Sequence, residues 1–127
     1  YGVEEAKEFL VQLIGDKSLE NFYAIYMSAA NEVQAISFIA KGDAVNVTMS
    51  IGEVIRIALL SNAKYIMVAH NHPSGIALPS DADKNITKQI AQAAKLFNIH
   101  LIDSIIVCKN GEFYSMRKMV NGDGYER

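Results

Sequence analysis

The chain has 127 residues, half of them hydrophobic and a fifth charged, which fits one globular domain able to bury a core without disulfides. Twelve basic against 14 acidic side chains give a net charge of −2, excluding a general electrostatic pull toward nucleic acid or an anionic membrane. The one cysteine, Cys108, leaves no intrachain disulfide to form and points to a reducing, cytoplasmic setting.

No apolar stretch approaches the roughly 20 residues that span a bilayer. The chain opens at Tyr1 with no basic-then-apolar leader, so it is expected to be an excised piece of something longer. Residues 1–127 are read as a single domain, without repeats or a proline-, glycine- or serine-rich linker.

In chain order, Val3, Ala6, Phe9, Leu10, Leu13 and Ile14 recur at helical spacing and predict an amphipathic helix over 3–14, ending near Gly15. Phe22 to Ser28 and Val33 to Ala40 are short runs rich in aromatic and branched residues, separated by Ala29-Ala30-Asn31-Glu32, which predicts a β-hairpin. Ser50-Ile51-Gly52-Glu53 has the spacing of a capping box, so a second helix is expected from there to about Asn62. Tyr65 to Ala69 is continuously apolar and predicts a buried strand opening into His70. The segment from Asn71 to Pro79 carries Pro73, Gly75 and Pro79 and predicts a loop. Asp81 to Phe97 predicts a third helix, Leu101 to Cys108 a strand, and Lys109-Asn110-Gly111 a turn into a last strand, Glu112 to Met116. Interleaved strands and helices with an early hairpin predict an α/β fold, a mixed β-sheet flanked by helices.

The chemistry is concentrated in His70-Asn71-His72-Pro73-Ser74-Gly75 and its continuation through Ser80 to Asp83. Residues two apart on extended backbone point the same way, so His70 and His72 can aim at one point. Asp83 falls in the first turn of a predicted helix, where a carboxylate is favoured by the helix dipole. Two nitrogens and one carboxylate oxygen, with water as fourth ligand, make an open catalytic zinc site. A single histidine at a strand end is more often a satisfied polar group, and Ser80-x-x-Asp83 is also an ordinary N-terminal capping pattern. It is the pairing of histidines ahead of that cap that favours a metal.

His70-x-His72, seven residues, Ser80, two residues and Asp83 resemble the H-x-H-x7-S-x2-D signature of JAMM (MPN-plus) metalloproteases. The fuller run, Ala69 through Gly75 with Pro79, Ser80 and Asp83, is similar to the RadC-related bacterial branch, and the similarity extends from about Glu20 to Ser115. Asn46, Glu53, Val54, Ala58, Leu59, Thr87, Leu101 and Asp103 also resemble positions of that branch. The resemblance implies the cytidine-deaminase-like JAMM fold, Zn2+ as cofactor, and hydrolysis of peptide or isopeptide bonds in a protein or peptide substrate. It assigns His70, His72 and Asp83 as metal ligands and Ser80 as the oxyanion donor. JAMM proteins carry their proton-transferring glutamate at the start of an early strand. Glu20 matches that position, and the rival Glu53 is accounted for by the Ser50 capping box.

Two positions depart from the pattern. Ser50-Ile51-Gly52 stands where relatives usually have His-Pro-Arg, and Ser104 where they usually have histidine. Elsewhere, His100 reads as edge polarity and Cys108 as small core filling. Lys84, Lys88 and Lys95 read as a solvated helix face, with no strong nucleic-acid binding expected. A zinc deaminase would need H-x-E and P-C-x-x-C, which are absent. The competing function is a non-catalytic, zinc-stabilised binding module, associated through the family label with DNA repair or mobile elements.

Overall fold

The computed structural model describes residues 21–41 and 47–116; the helix expected over 3–14 and Glu20 lie outside them. Strand β1 (Asn21–Met27) and β2 (Val33–Lys41) form the expected hairpin, followed by helix α1 (Val47–Leu60), β3 (Tyr65–Asn71), helix α2 (Asp81–Lys95), β4 (His100–Val107) and β5 (Phe113–Ser115). The strands make one mixed sheet in the order β2-β1-β3-β4-β5. β1 pairs antiparallel with β2 and β3, β3 runs parallel to β4 across the α2 crossover, and β5 returns antiparallel. This is the expected α/β architecture, a mixed sheet with helices. No helix among the described residues is long and apolar enough to cross a membrane.

Local chemistry explains the element ends. Asn31, in the β1–β2 turn, and Asn62 and Asn98, past the ends of α1 and α2, all have positive φ near 60°. Asparagine reaches this left-handed region more readily than most side chains because its short amide can bond locally. One expectation fails. Helix α1 begins at Val47, three residues before Ser50, so Ser50 is inside the helix and does not cap it. Glu53 is not a capping residue either; it is exposed and pairs with Arg56 one turn on.

Alternation along the strands sorts the core into two faces. Phe22, Ala24 and Tyr26 of β1 and Ile66 and Val68 of β3 pack with Val54, Ile55 and Ala58 of α1 and Ile86, Ile90 and Ala94 of α2. The opposite face carries Ile25, Met27, Met67, Ala69, Ile105 and Val107. Each such fully buried large side chain contributes about 1.5–3 kcal/mol. His70 is next in the row Ile66, Val68 on the helix-bearing face, and it is 1% exposed. The row that builds the core therefore ends on an imidazole at the C-terminal end of β3, the end from which the chain enters α2.

A register shift between β3 and β4 pairs Ile66 with Leu101 but Met67 with Asp103, leaving Ile102 as the extra residue. Beyond it Asp103 is buried and bonds Ser115, while Ser104 meets Thr87 of α2. The bulge thus decides which of two adjacent polar residues lies beneath the helix that carries Asp83.

Candidate metal centre

Three elements converge at the C-terminal end of β3. The strand supplies His70. The chain after it stays tied to the sheet, because the His72 N–H donates to the Val107 carbonyl at 3.0 Å. A turn closes between His72 and Gly75, whose N–H donates to the His72 carbonyl at 3.1 Å; Gly75 has φ +87, a conformation that glycine adopts without a Cβ penalty. The loop then reaches Ser80, which starts α2 with a complete capping box: Asp83 N–H to Ser80 Oγ at 3.0 Å and Ser80 N–H to Asp83 Oδ2 at 2.8 Å. The S-x-x-D pattern is therefore a real cap, and the cap itself aims the Asp83 carboxylate at the histidines.

His70 Nε2 lies 3.1 Å from Asp83 Oδ1, His72 Nε2 lies 3.1 Å from Asp83 Oδ2, and the two Nε2 atoms are 3.2 Å apart. Ligands at 2.0–2.1 Å from a tetrahedral zinc stand about 3.3 Å from one another; the two Nε2 atoms have that spacing, and each has a different Asp83 oxygen at a similar distance. The ligand atoms all lie within 4.8 Å of one another, a grouping able to hold a metal ion.

Proton placement agrees with that fit. His72 Nδ1 is 3.0 Å from the Ile76 carbonyl oxygen, which only accepts, so Nδ1 carries hydrogen. With Nδ1 so engaged, Nε2 is the ring nitrogen directed at the Asp83 carboxylate and the one placed to ligate a metal. Asp83 is 3% exposed. Burial by itself raises its pKa, but hydrogen bonds with His70 and His72, the charge interaction with His70 and the Ser80 backbone bond outweigh it, and the carboxyl is held well below the ordinary range. A buried carboxylate kept ionised beside two imidazoles is a metal-type donor set.

The expected residues His70, His72, Ser80 and Asp83 are thus brought together. Ser80 Oγ accepts from Asp83 N–H, which leaves its own hydrogen to donate. Glu20 lies outside the described residues, but the residue after it is fastened to the histidine strand: Asn21 N–H donates to Asn71 Oδ1 at 2.7 Å. His100 sits at the opposite end of the parallel pair, beside Tyr65, whereas His70 pairs with Ile106. Cys108 is fully buried with Ala77, Ile106 and Met116, as core filling, and burial pushes its thiol pKa up. Lys84, Lys88 and Lys95 are exposed. Ser104, the departure from histidine, is buried against Thr87, whose Oγ1 is 3.0 Å from Ser104 Oγ and 2.9 Å from the Asp83 carbonyl oxygen. The smaller residue therefore still supports the helix turn carrying Asp83.

Residues 2–122 match the family described as the RadC-like JAB domain. The chain belongs to that family. It is 35% identical over 104 residues to a UPF0758 protein of Chromobacterium violaceum, covering 82% of this chain and 46% of that protein. It is also 35% identical over 115 residues to one of Finegoldia magna (91% and 51%) and 33% identical over 111 residues to one of Chlorobium chlorochromatii (87% and 50%). The chain spans about half the length of these curated relatives. For this RadC-like domain, the H-x-H-x7-S-x2-D resemblance and the α/β fold it implies are borne out.

Two features of the site went unread in the sequence. Asn71, between the histidines, holds the start of β1. Phe22 stacks on the His70 ring. The first is signalled by its position inside the motif; the second depends on a strand register that no local pattern reveals.

Proposed function

We propose that this domain is a zinc-dependent hydrolase of peptide or isopeptide bonds. The observation that carries the reading is that the Nε2 atoms of His70 and His72 lie 3.2 Å apart, each 3.1 Å from an oxygen of the buried Asp83 carboxylate. Three protein donors leave a fourth position for the reaction, which a purely structural zinc does not need. When bound, zinc supplies an activated water and polarises the scissile carbonyl.

The chain's own residues perform the remaining tasks. His70, His72 and Asp83 hold the ion. Ser80, with its oxygen occupied by the Asp83 N–H, donates its hydroxyl hydrogen to the substrate oxygen that gains negative charge. Glu20 takes the proton from the attacking water and returns it to the leaving amine. The anchoring of Asn21 beside Asn71 and the family position of Glu20 support that assignment. The substrate is a protein or peptide. With a net charge of −2, the isolated domain is expected to bind DNA only weakly, and submicromolar, steeply salt-dependent binding would overturn that.

The deciding experiment is a peptide and isopeptide cleavage screen on zinc-reconstituted protein. Hydrolysis abolished by a chelator, restored by zinc and absent in Asp83→Asn supports the proposal. Stoichiometric zinc with no cleavage across the screen would favour the zinc-stabilised binding module.

A further inference from the structure

We propose that Phe22 is a positioning residue for the ligand His70, holding the imidazole by ring stacking where a hydrogen bond would ordinarily do so; this rests on the metal-binding part of the reading above. Phe22 on β1 and His70 on β3 are direct cross-strand partners. Their rings are stacked at 4.2 Å between centroids with 14° between planes, and the residues are 2% and 1% exposed.

A histidine ring rotates about its last torsion in a broad, shallow well, so a ligand imidazole needs something outside itself to aim its nitrogen. Ligand histidines usually obtain this by donating the second ring N–H to a carbonyl or carboxylate. His72 follows that rule through the Ile76 carbonyl. His70 does not: among the described residues its buried Nδ1 has no hydrogen-bond partner. The flat face of Phe22 is what constrains the plane of this ring, and with it the direction of Nε2 toward Asp83 and His72.

The stack also has an electrostatic sense. Coordination draws electron density from the imidazole, and the negative face of a phenyl ring attracts a ring that has become more positive. Phe22 should therefore favour the loaded site over the empty one. A leucine of similar bulk fills the space without supplying a plane or a π face.

The test uses the full chain, with Zn2+ affinity measured by competition against a chromogenic chelator under conditions where circular dichroism shows each variant folded. Phe22→Leu should weaken Zn2+ binding about 10–100-fold, the usual effect of losing a ligand's orienting partner, and should alter the absorption bands of the Co2+-substituted protein. Phe22→Tyr, which keeps the ring, should restore the spectrum and most of the affinity. Ile25→Val, on the other face of β1, should lower Tm without changing either. A folded Phe22→Leu with wild-type affinity and Co2+ spectrum would overturn the proposal, as would an equal affinity loss in Ile25→Val. If Phe22→Leu does not fold, proton NMR of the metal-free wild type decides: the His70 ring protons should be shifted upfield by the phenyl ring current, and ordinary shifts would overturn the stack. A wild-type chain that binds no Zn2+ would overturn the metal reading itself, whereas wild-type binding insensitive to Phe22 would overturn the positioning role alone.

Discussion

The two histidines of the site are held in different ways. His70 belongs to the sheet: it ends the core row of β3, its side chain is 1% exposed, and it lies under Phe22. His72 belongs to the loop: its side chain is 12% exposed, and its Nδ1 faces the Ile76 carbonyl, which sets its tautomer. Asp83 joins the halves, accepting from the Ser80 cap while one carboxylate oxygen faces each ring. One ligand is thus fixed by the same burial that makes the fold, and the others are fixed by a turn and a helix cap that the fold could lose locally. The site is built outward from its most rigid member.

The largest effects should come from the ligands themselves. His70→Ala and His72→Ala should each abolish tight zinc binding, yet differ in the metal-free protein. Removing the buried ring leaves a cavity costing about 2–4 kcal/mol, whereas removing the partly exposed loop ring loses less burial and forfeits hydrogen bonds worth about 0.5–1.5 kcal/mol each. Urea denaturation of the two metal-free variants measures this directly, and equal losses would break the comparison.

Next come the residues that act without holding metal. Glu20→Gln should keep zinc and lower hydrolysis by roughly 10²–10⁴-fold, the usual contribution of a positioned general base. Ser80→Ala should lower it by about 10²–10³-fold if the hydroxyl serves the oxyanion, and should also cost about 1 kcal/mol of cap stability. Melting curves run beside the kinetics separate these two losses.

A smaller, pH-dependent effect sharpens the role of Asp83. Its carboxyl pKa is lowered in the fold. Its contribution to stability is therefore complete above the unfolded value of about 3.9 and declines as pH falls through the lower folded value. In metal-free Asp83→Asn that part of the acid sensitivity should vanish, which denaturation midpoints between roughly pH 5 and pH 2 would reveal as a shallower slope. The smallest effect belongs to Glu53→Gln. Glu53 and Arg56 form an exposed pair on α1, so stability should change by about 0.5 kcal/mol or less and hydrolysis hardly at all. Collapse of activity there, alongside full activity in Glu20→Gln, would show Glu53, and not Glu20, to be the base.

How far the sequence could be read follows from the range of the interactions involved. The β1–β2 hairpin, β3 and the α2 cap were legible because each is written in neighbouring residues: alternation, a continuous apolar run, and Ser80 three residues before Asp83. His70 and His72 were legible because the chain just past the end of β3 stays tied to the sheet through the His72 N–H, so residues two apart still point the same way. The start of α1 was misread because Ser50 and Glu53 have capping spacing while standing inside a helix that begins at Val47; the pattern alone carries no information about the turn before it. The Phe22–His70 stack was invisible because it depends on β1–β3 register. The Ile102 bulge, which turns Ser104 toward Thr87, likewise arises from pairing between β3 and β4.

The central claim is that His70, His72 and Asp83 form one metal centre, and zinc stoichiometry tests it most directly. Chelator-stripped protein titrated with zinc and freed of excess by gel filtration should retain about one ion per chain by elemental analysis, as three protein ligands and a water complete a tetrahedral site; Asp83→Asn treated identically should retain almost none. Wild-type protein that holds no zinc after this treatment, or Asp83→Asn that holds as much as wild type, would contradict the account.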